Sequence, residues 1–344
     1  MHRAVVPGTD LAFADFSRLP VRHPYIAMVP QWDLLDLLAA AGREEASFDL
    51  RMQHEVTGLV RESGRVTGVR YESPEGPGTL LADLVVACDG RWSVVRREVG
   101  LPRRELPVGF DAWWVKVPTD GRLAGSLVPR FGQGRTVILI PREGYAQVAY
   151  LLPKGSDARL RAAGLDGFRA NLVELAPELA DGVTAIESLD EVKLLDVRMD
   201  RLQRWHAPGV LCLGDAAHAM SPMAGVGINL AVQDAVAAAR LLVRPLRDGL
   251  VGPGSGDSER AVLQRIQRRR TWPVVIVQTL QRFLDKFLIG PVLAGRETAF
   301  PRPLVALLRT VPALSVVPAA LVGIGPRPER APRWARRPVR SPAG

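Results

Sequence analysis

The chain has 344 residues, 47% of them apolar, enough for one large or two interleaved domains with a real core; this excludes a disordered or low-complexity protein. Its formal charge of +9 (45 Lys and Arg against 36 Asp and Glu) is concentrated at the end, where Pro326–Gly344 holds six arginines and one glutamate, or +5. Only four lysines occur (Lys116, Lys154, Lys193, Lys286), and no basic stripe or base-reading motif accompanies the charge, so nucleic-acid binding is set aside.

The opening residues predict a hairpin: an apolar run at 4–6, turn residues at 7–10, then apolar Leu11 and Phe13 in alternation. "PQWDLLDLLAAAG" predicts a helix, with Leu34, Leu35, Leu37 and Leu38 on its apolar face and Gly42 as its stop. "FDLRMQHEVTGLVRESG", "RVTGVRYES" and "TLLADLVVACDG" predict a short-turned antiparallel meander leading into a buried strand, and Ser93 is a helix N-cap. "AWWVKVP", "RTVILIP" and "YAQVAYLLP" alternate with period two and predict an antiparallel sheet, followed by an amphipathic helix over 164–179 and a strand-like run over 191–202.

Beyond residue 242, "RDGLVGPGSGDSER" predicts a flexible loop; its glycines have the wrong spacing for a nucleotide fingerprint. A long helix over 260–290 and an apolar stretch over 303–325 follow. Arg309, Pro303, Pro312 and Pro318 interrupt that stretch, which argues for a helix packed on the protein itself and against a membrane span, with peripheral membrane contact left open. Residues 326–344, rich in Pro and Arg, are expected to be a disordered basic tail. Cys88 and Cys212 stand in apolar strand-like runs without metal spacing and read as reduced core thiols; with no leader pattern at the start, a cytoplasmic location is expected.

Two stretches carry chemistry. In "VLCLGDAAHAMSPMAGVGINLAVQDAVAAARLL" an apolar strand ends at Gly214 and Asp215, and a loop with Pro222, Gly225 and Gly227 enters a helix at Ile228 and Asn229. The carboxyl edge of an open α/β sheet is where ligands bind, so Asp215 offers acceptors to a hydroxylated chain. The glycines let a flat ring or a phosphate approach the backbone, and the helix-start amides favour negative charge, which suits an electron-rich ring that becomes anionic on reduction. In "VVACDGRWSVVR" a second strand ends at Asp89 and Gly90, followed by a helix start and Arg96. A plain helix entry with Asp as its cap is the competing reading of each stretch taken alone.

Together the two resemble the GD and DG motifs of the class A FAD-dependent aromatic hydroxylases, the para-hydroxybenzoate hydroxylase family, over roughly residues 1–300. The resemblance implies an α/β (α+β) fold: a truncated FAD-binding Rossmann-like domain interleaved with an antiparallel β-sheet substrate lobe and a C-terminal helical region. Its parts would be a substrate-lobe hairpin (1–24), the FAD domain with the DG motif (25–109), the substrate sheet (110–203), the FAD domain with the GD motif (204–250), the helical region (251–325) and the tail (326–344). Gly214 and Asp215 would bind the ribityl or ribose hydroxyls of FAD, and Pro222, Gly225, Gly227, Ile228 and Asn229 would line the isoalloxazine. Gln31 matches the family's contact to the ribityl-phosphate region, with an ordinary polar residue as its alternative, and Val56 matches the adenine contact. Asp89, Gly90 and Arg96 would serve FAD and the nicotinamide cofactor, with capping and ion pairing the rival role for Arg96. His218 reads as a structural histidine.

The implied reaction uses NAD(P)H and O2 to hydroxylate or epoxidise an organic, aromatic or polycyclic small molecule; the flavin carries the chemistry and no protein acid or nucleophile is required. Trp113, Trp114 and Tyr150 could face the substrate, against a competing role in core packing. No GxGxxG unit occurs in the chain, so truncation is expected, whether from a late start or a real loss, together with weak or no FAD retention. Three alternatives stay open: an inactive relic or binding-only module, a flavin-dependent reductase or saturase, and a halogenase, although "DAWWVKVP" departs from the halogenase WxWxIP pattern. Substrate identity, NADH against NADPH, and oligomeric state are not encoded in these motifs.

Overall fold

A computed structural model describes residues 2–5, 11–120, 128–132, 134–296 and 302–335. The chain divides into two units, each drawing on three stretches of sequence: Met1–Ala41, Pro107–Val197 and Thr279–Gly325 in the first, Gly42–Leu106, Arg198–Gln278 and Pro326–Gly344 in the second.

Strands β1 (Arg3–Val5) and β2 (Ala12–Asp15) form the expected antiparallel pair; the turn residues 7–10 lie outside the described residues. Helix α1 (Gln31–Arg43) follows, but none of its residues is buried and Trp32 is 76% exposed. The meander is β3 (Glu55–Glu62), β4 (Arg65–Ser73) and β5 (Gly76–Leu81), all antiparallel. Ser63 and Gly64, both with positive φ, make the two-residue turn between the first two strands. Strand β6 (Val85–Ala87) and helix α2 (Val94–Glu98) come next, and Ser93 caps the helix as expected by accepting from the Arg96 amide. Strand β7 (Arg103–Leu106) was not foreseen, since four residues reading Arg-Arg-Glu-Leu carry no apolar alternation.

The period-two stretches form the main sheet of the first unit: β8 (Phe110–Pro118), β9 (Val128–Gly132), β10 (Arg135–Arg142) and β11 (Tyr145–Pro153), then helices α3 (Asp157–Ala162) and α4 (Leu165–Leu175) and the edge strand β12 (Lys193–Leu195). The order is β12-β8-β11-β10-β9. Register pairs Trp113 with Tyr150 and Val115 with Val148, so these side chains share the face that packs on Phe168 and Leu172 of α4. Each such buried side chain contributes roughly 1.5–3 kcal/mol. Trp114 and Ala149 point to the opposite face.

The strand-like run over 191–202 proves to be two strands in different sheets. Asp111, 3% exposed, accepts from the Val197 amide at 3.0 Å, the Gly155 amide at 3.0 Å and Lys154 Nζ at 2.6 Å, tying the chain down where β12 ends. Strand β13 (Met199–Leu202) then pairs with β7, and β14 (His206–Ala207) leads into β15 (Val210–Cys212).

Helix α5 (Gly227–Arg247) buries Leu230, Asp234, Ala237, Ala238 and Leu242 along one face. By length and composition the segment Met223–Arg247 could cross a membrane, but one face of it, with the Asp234 carboxylate included, is buried within the protein. The stretch over 247–259 is not the flexible loop expected: the carboxylate of Glu259, 3% exposed, accepts from the amides of Gly209 and Gly252 and pairs with Arg65 at 2.7 Å. Helix α6 (Gly256–Leu284) continues through a π turn (Asp285–Ile289) into α7 (Gly290–Leu293), and α8 (Arg302–Thr310) and α9 (Val316–Gly323) divide the apolar stretch on either side of Pro312, with Pro303 and Pro318 in the first turns of the two helices. In the first unit, Ala319 of α9 packs on Ala14, Phe16 and Leu19.

The tail expectation fails for its first part. Glu329, whose side chain is fully buried, pairs with Arg269 at 2.5 Å and Arg240 at 3.2 Å, so residues around it are packed by charge where apolar content is low. Residues 336–344 lie outside the described residues.

Candidate functional site

Apolar side chains over 85–87 and 210–212 make two short strands that lie side by side and parallel, with Ala87 opposite Cys212. Because they run in the same direction, both leave the sheet at one carboxyl edge, and the two Asp-bearing turns, at 89 and 215, emerge together. The Leu213 amide donates to the Ala87 carbonyl at 2.9 Å and holds the exits in step. The pairing of the two motifs, read from separate stretches of sequence, is thus a structural fact of the second unit.

Beyond the strands, Arg91, the residue after Gly90, reaches the Asp215 carboxylate at 3.7 Å. Burial pushes the Asp215 carboxyl above its usual range, more than the nearby charges of Arg91 and His218 pull it down. The group retains an exposed share of 39%, so it is an acceptor facing outward from a partly desolvated seat. Asp89 works partly as a cap, accepting from the Val95 amide at 3.2 Å.

Arg96 is almost wholly buried and its guanidinium is committed: to Asp200 at 3.2 Å, to the Ala216 carbonyl at 3.4 Å and to the Arg91 carbonyl at 2.5 Å. It braces the two motifs against each other from below. These contacts are of the ion-pairing kind held as the rival to direct cofactor contact. Gln278 adds a second brace, donating to the carbonyls of Asp200 and Ala219.

The loop after Asp215 dips inward over 216–221 and returns to the surface at Ala224 and Gly225, both with φ of +62°. For alanine that left-handed backbone is strained. A Cβ added at Gly225 or Gly90 would meet nothing within 4 Å, so open space stands over both backbones. Helix α5 begins at Gly227 with no side-chain cap and no acidic residue in its first turn; the amides at Gly227, Ile228 and Asn229 therefore present partial positive charge outward, and the side chains of Ile228 and Asn229 are exposed. Pro222 is half-buried at the loop's start. A partly desolvated carboxylate, bare glycine backbone and uncapped amides together fit FAD.

Val56 is half-buried on β3 in the second unit. Gln31 is the exposed first residue of α1 in the first unit. His218 is structural as expected: its Nε2 lies 2.5 Å from Asp234, and its side chain is 1% exposed. Trp113 and Tyr150 belong to the core, with Trp113 donating to Asp157 at 2.6 Å, so of the three aromatics only Trp114 lies on the other sheet face.

Cys212 is buried and its thiol is pushed up to about 12 by burial. Cys88, expected in the core, is exposed; β6 is only three residues long and Val86 within it is 41% exposed, so this strand is not covered on both faces. Sequence reading missed Arg91, Asp200 and Asp234. A signal existed for the last: Asp234 falls four residues after Leu230 and four before Ala238, a charge on an otherwise apolar helix face.

This arrangement in the second unit, paired strand ends feeding a glycine loop and an uncapped helix, together with an antiparallel sheet in the first, defines a flavin-dependent oxygenase fold. The model of the FAD binding domain family matches residues 5–252, and the chain belongs to that family of FAD-dependent monooxygenases. It is 30% identical over 303 residues to 6-methylpretetramide 4-monooxygenase of Streptomyces rimosus, covering 88% of this chain and 70% of that protein. It is 26% identical to squalene epoxidase 3 of Arabidopsis thaliana, covering 83% of this chain and 55% of that one. The solved anhydrotetracycline hydroxylase from Streptomyces rimosus shares the fold with a TM-score of 0.71 at 23% identity, over 98% of this chain and 64% of that one. The chain therefore spans somewhat over half to about two thirds of the length of these relatives.

Proposed function

We propose that the protein hydroxylates or epoxidises an aromatic or polycyclic small molecule with NAD(P)H and O2, using FAD held at the shared edge of β6 and β15. The observation that carries this reading is the parallel pairing that brings Asp89 and Asp215 out at one edge, with Arg91 reaching across to Asp215 at 3.7 Å. FAD, when bound, would supply the redox chemistry between NAD(P)H and O2.

The chain's own residues bind and orient. The Asp215 carboxylate accepts hydrogen bonds from the hydroxyls of the cofactor's sugar-like chain, and Gly90 and Gly225 let a ring or phosphate approach the backbone. The uncapped amides at Gly227, Ile228 and Asn229 favour negative charge at the ring edge nearest them, a stabilisation of about 0.3–1 kcal/mol in exposed surroundings and more when water is excluded. For the substrate, the sheet face carrying Trp114, Ile138, Gln147 and Lys116, all at least partly exposed, offers an aromatic and aliphatic surface with an amide and an ammonium for orientation. Relatives named as a 6-methylpretetramide monooxygenase and a squalene epoxidase support an organic substrate of this class.

The experiment is a coupled assay with added FAD and NADPH or NADH against a panel of polycyclic phenols and isoprenoids. Substrate-dependent NAD(P)H oxidation yielding a product with 18O from 18O2 is expected. Oxidation that proceeds equally under nitrogen, with a reduced product and no oxygen incorporated, would replace this reading with the reductase.

A further inference from the structure

The fully buried carboxylates of the second unit form one connected chain. Glu329 in the C-terminal segment accepts from Arg269 Nε at 2.5 Å and Nη2 at 2.9 Å and from Arg240 at 3.2 Å, and lies 3.8 Å from Arg270. Arg270, also fully buried, donates to Asp234 Oδ1 at 2.8 Å and to the Arg327 carbonyl at 3.0 Å. Asp234 Oδ2 in turn accepts from the Gly214 amide at 3.3 Å and meets His218 Nε2 at 2.5 Å. One carboxylate thus grips the loop on both sides of Asp215, one residue before it and three after.

The His218 ring leans on this grip. Its Nδ1 is buried and has no hydrogen-bond partner, so the Asp234 contact is the polar interaction that sets its orientation, alongside packing on Trp205 with ring centroids 5.0 Å apart. Movement of Asp234 therefore passes to both Gly214 and His218. Asp234 is steered by Arg270, whose other end is held by the segment bearing Glu329.

We propose that Glu329 is a positioning residue for the cofactor site, setting the geometry of loop 214–218 through Arg270 and Asp234. The proposal rests on the reading of that loop as the FAD seat. It assigns a role to a segment whose composition reads as solvated tail. Taking away one partner of a buried charge cluster leaves the others unbalanced, so the effect is transmitted inward to Asp234 rather than absorbed at the surface.

The test compares the full chain with Glu329→Gln by hydrogen–deuterium exchange without FAD, and then by FAD titration followed through flavin fluorescence. Amides of 214–219 should exchange about ten-fold faster in the variant, and FAD affinity should fall roughly five- to twenty-fold. Glu329→Asp, which keeps the charge, should recover most of both, and it serves as the test pair with the unmodified chain should the Gln variant not fold, with smaller shifts of the same sign. Faster exchange confined to 326–335 in Glu329→Gln, with loop protection and FAD affinity unchanged, would overturn the proposal. Faster loop exchange in a chain whose unmodified form shows no FAD-dependent change would keep the coupling and refute the FAD reading instead.

Discussion

At the level of single residues, Asp215 trades stability for function. Its folded-state pKa is raised, so its stabilising contribution is present below about pH 4 and is lost as pH rises through the raised value. At neutral pH the ionised carboxylate is therefore a cost to the fold. Asp215→Asn should melt higher than the parent at pH 7.5, with the difference vanishing in acid, while FAD binding weakens about ten- to a hundred-fold through loss of charge-assisted hydrogen bonds worth roughly 1.5–3 kcal/mol. Calorimetry across pH and a flavin titration check the two halves separately. The cysteines make a second case: the Cys88 thiol is raised by partial burial and the adjacent Asp89 charge, so though exposed it should alkylate more slowly at pH 7.5 than a free thiol, and Cys212 should label only on unfolding. Mass spectrometry after timed iodoacetamide treatment reads both.

Among the elements, those with strong periodicity were legible in the sequence and those made by distant partners were not. The sheet strands β8, β10 and β11 alternate clearly, and the chemistry of Ser63-Gly64 and Ser93 marks the turn and cap beside them. Strand β7 was invisible because its order comes from pairing with β13, about a hundred residues later, and the same long-range capture by Asp111 split the run over 191–202. The site followed the same rule. Asp89, Asp215 and the glycine loop announced themselves as strand ends and helix starts, whereas Arg91 against Asp215 and Arg96 against Asp200 depend on which strands become neighbours. Gly214 tests the loop as an element: its φ of +56° and a Cβ position 3.1 Å from that of Ala231 leave little room for a side chain. Gly214→Ala should cost about 1–3 kcal/mol in urea unfolding, by strain and crowding, and disturb the grip of Asp234 on the same residue's amide.

For the whole molecule, stability and cofactor chemistry meet in the buried charges of the second unit. Burial alone would raise the Asp234 carboxyl, but His218 and Arg270 hold it below its usual range. The sign is then the reverse of Asp215: the contribution is present above about pH 4 and is lost as pH falls through the lowered value. Acid unfolding of the parent should accordingly be steeper than that of Asp234→Asn, which starts less stable and loses less on acidification, as circular dichroism from pH 6 to pH 2 would show. Structural charges, the Arg270–Asp234 pair among them, are thus fully buried, whereas the Asp215 carboxylate at the head of the loop keeps an exposed share. The central claim, that the strand ends at 89 and 215 form a single FAD seat, is tested most directly by hydrogen–deuterium exchange of the full chain with and without excess FAD. The account predicts simultaneous protection of peptides covering 88–96 and 213–229; protection of one alone, or of neither at FAD concentrations in the hundreds of micromolar, would contradict it.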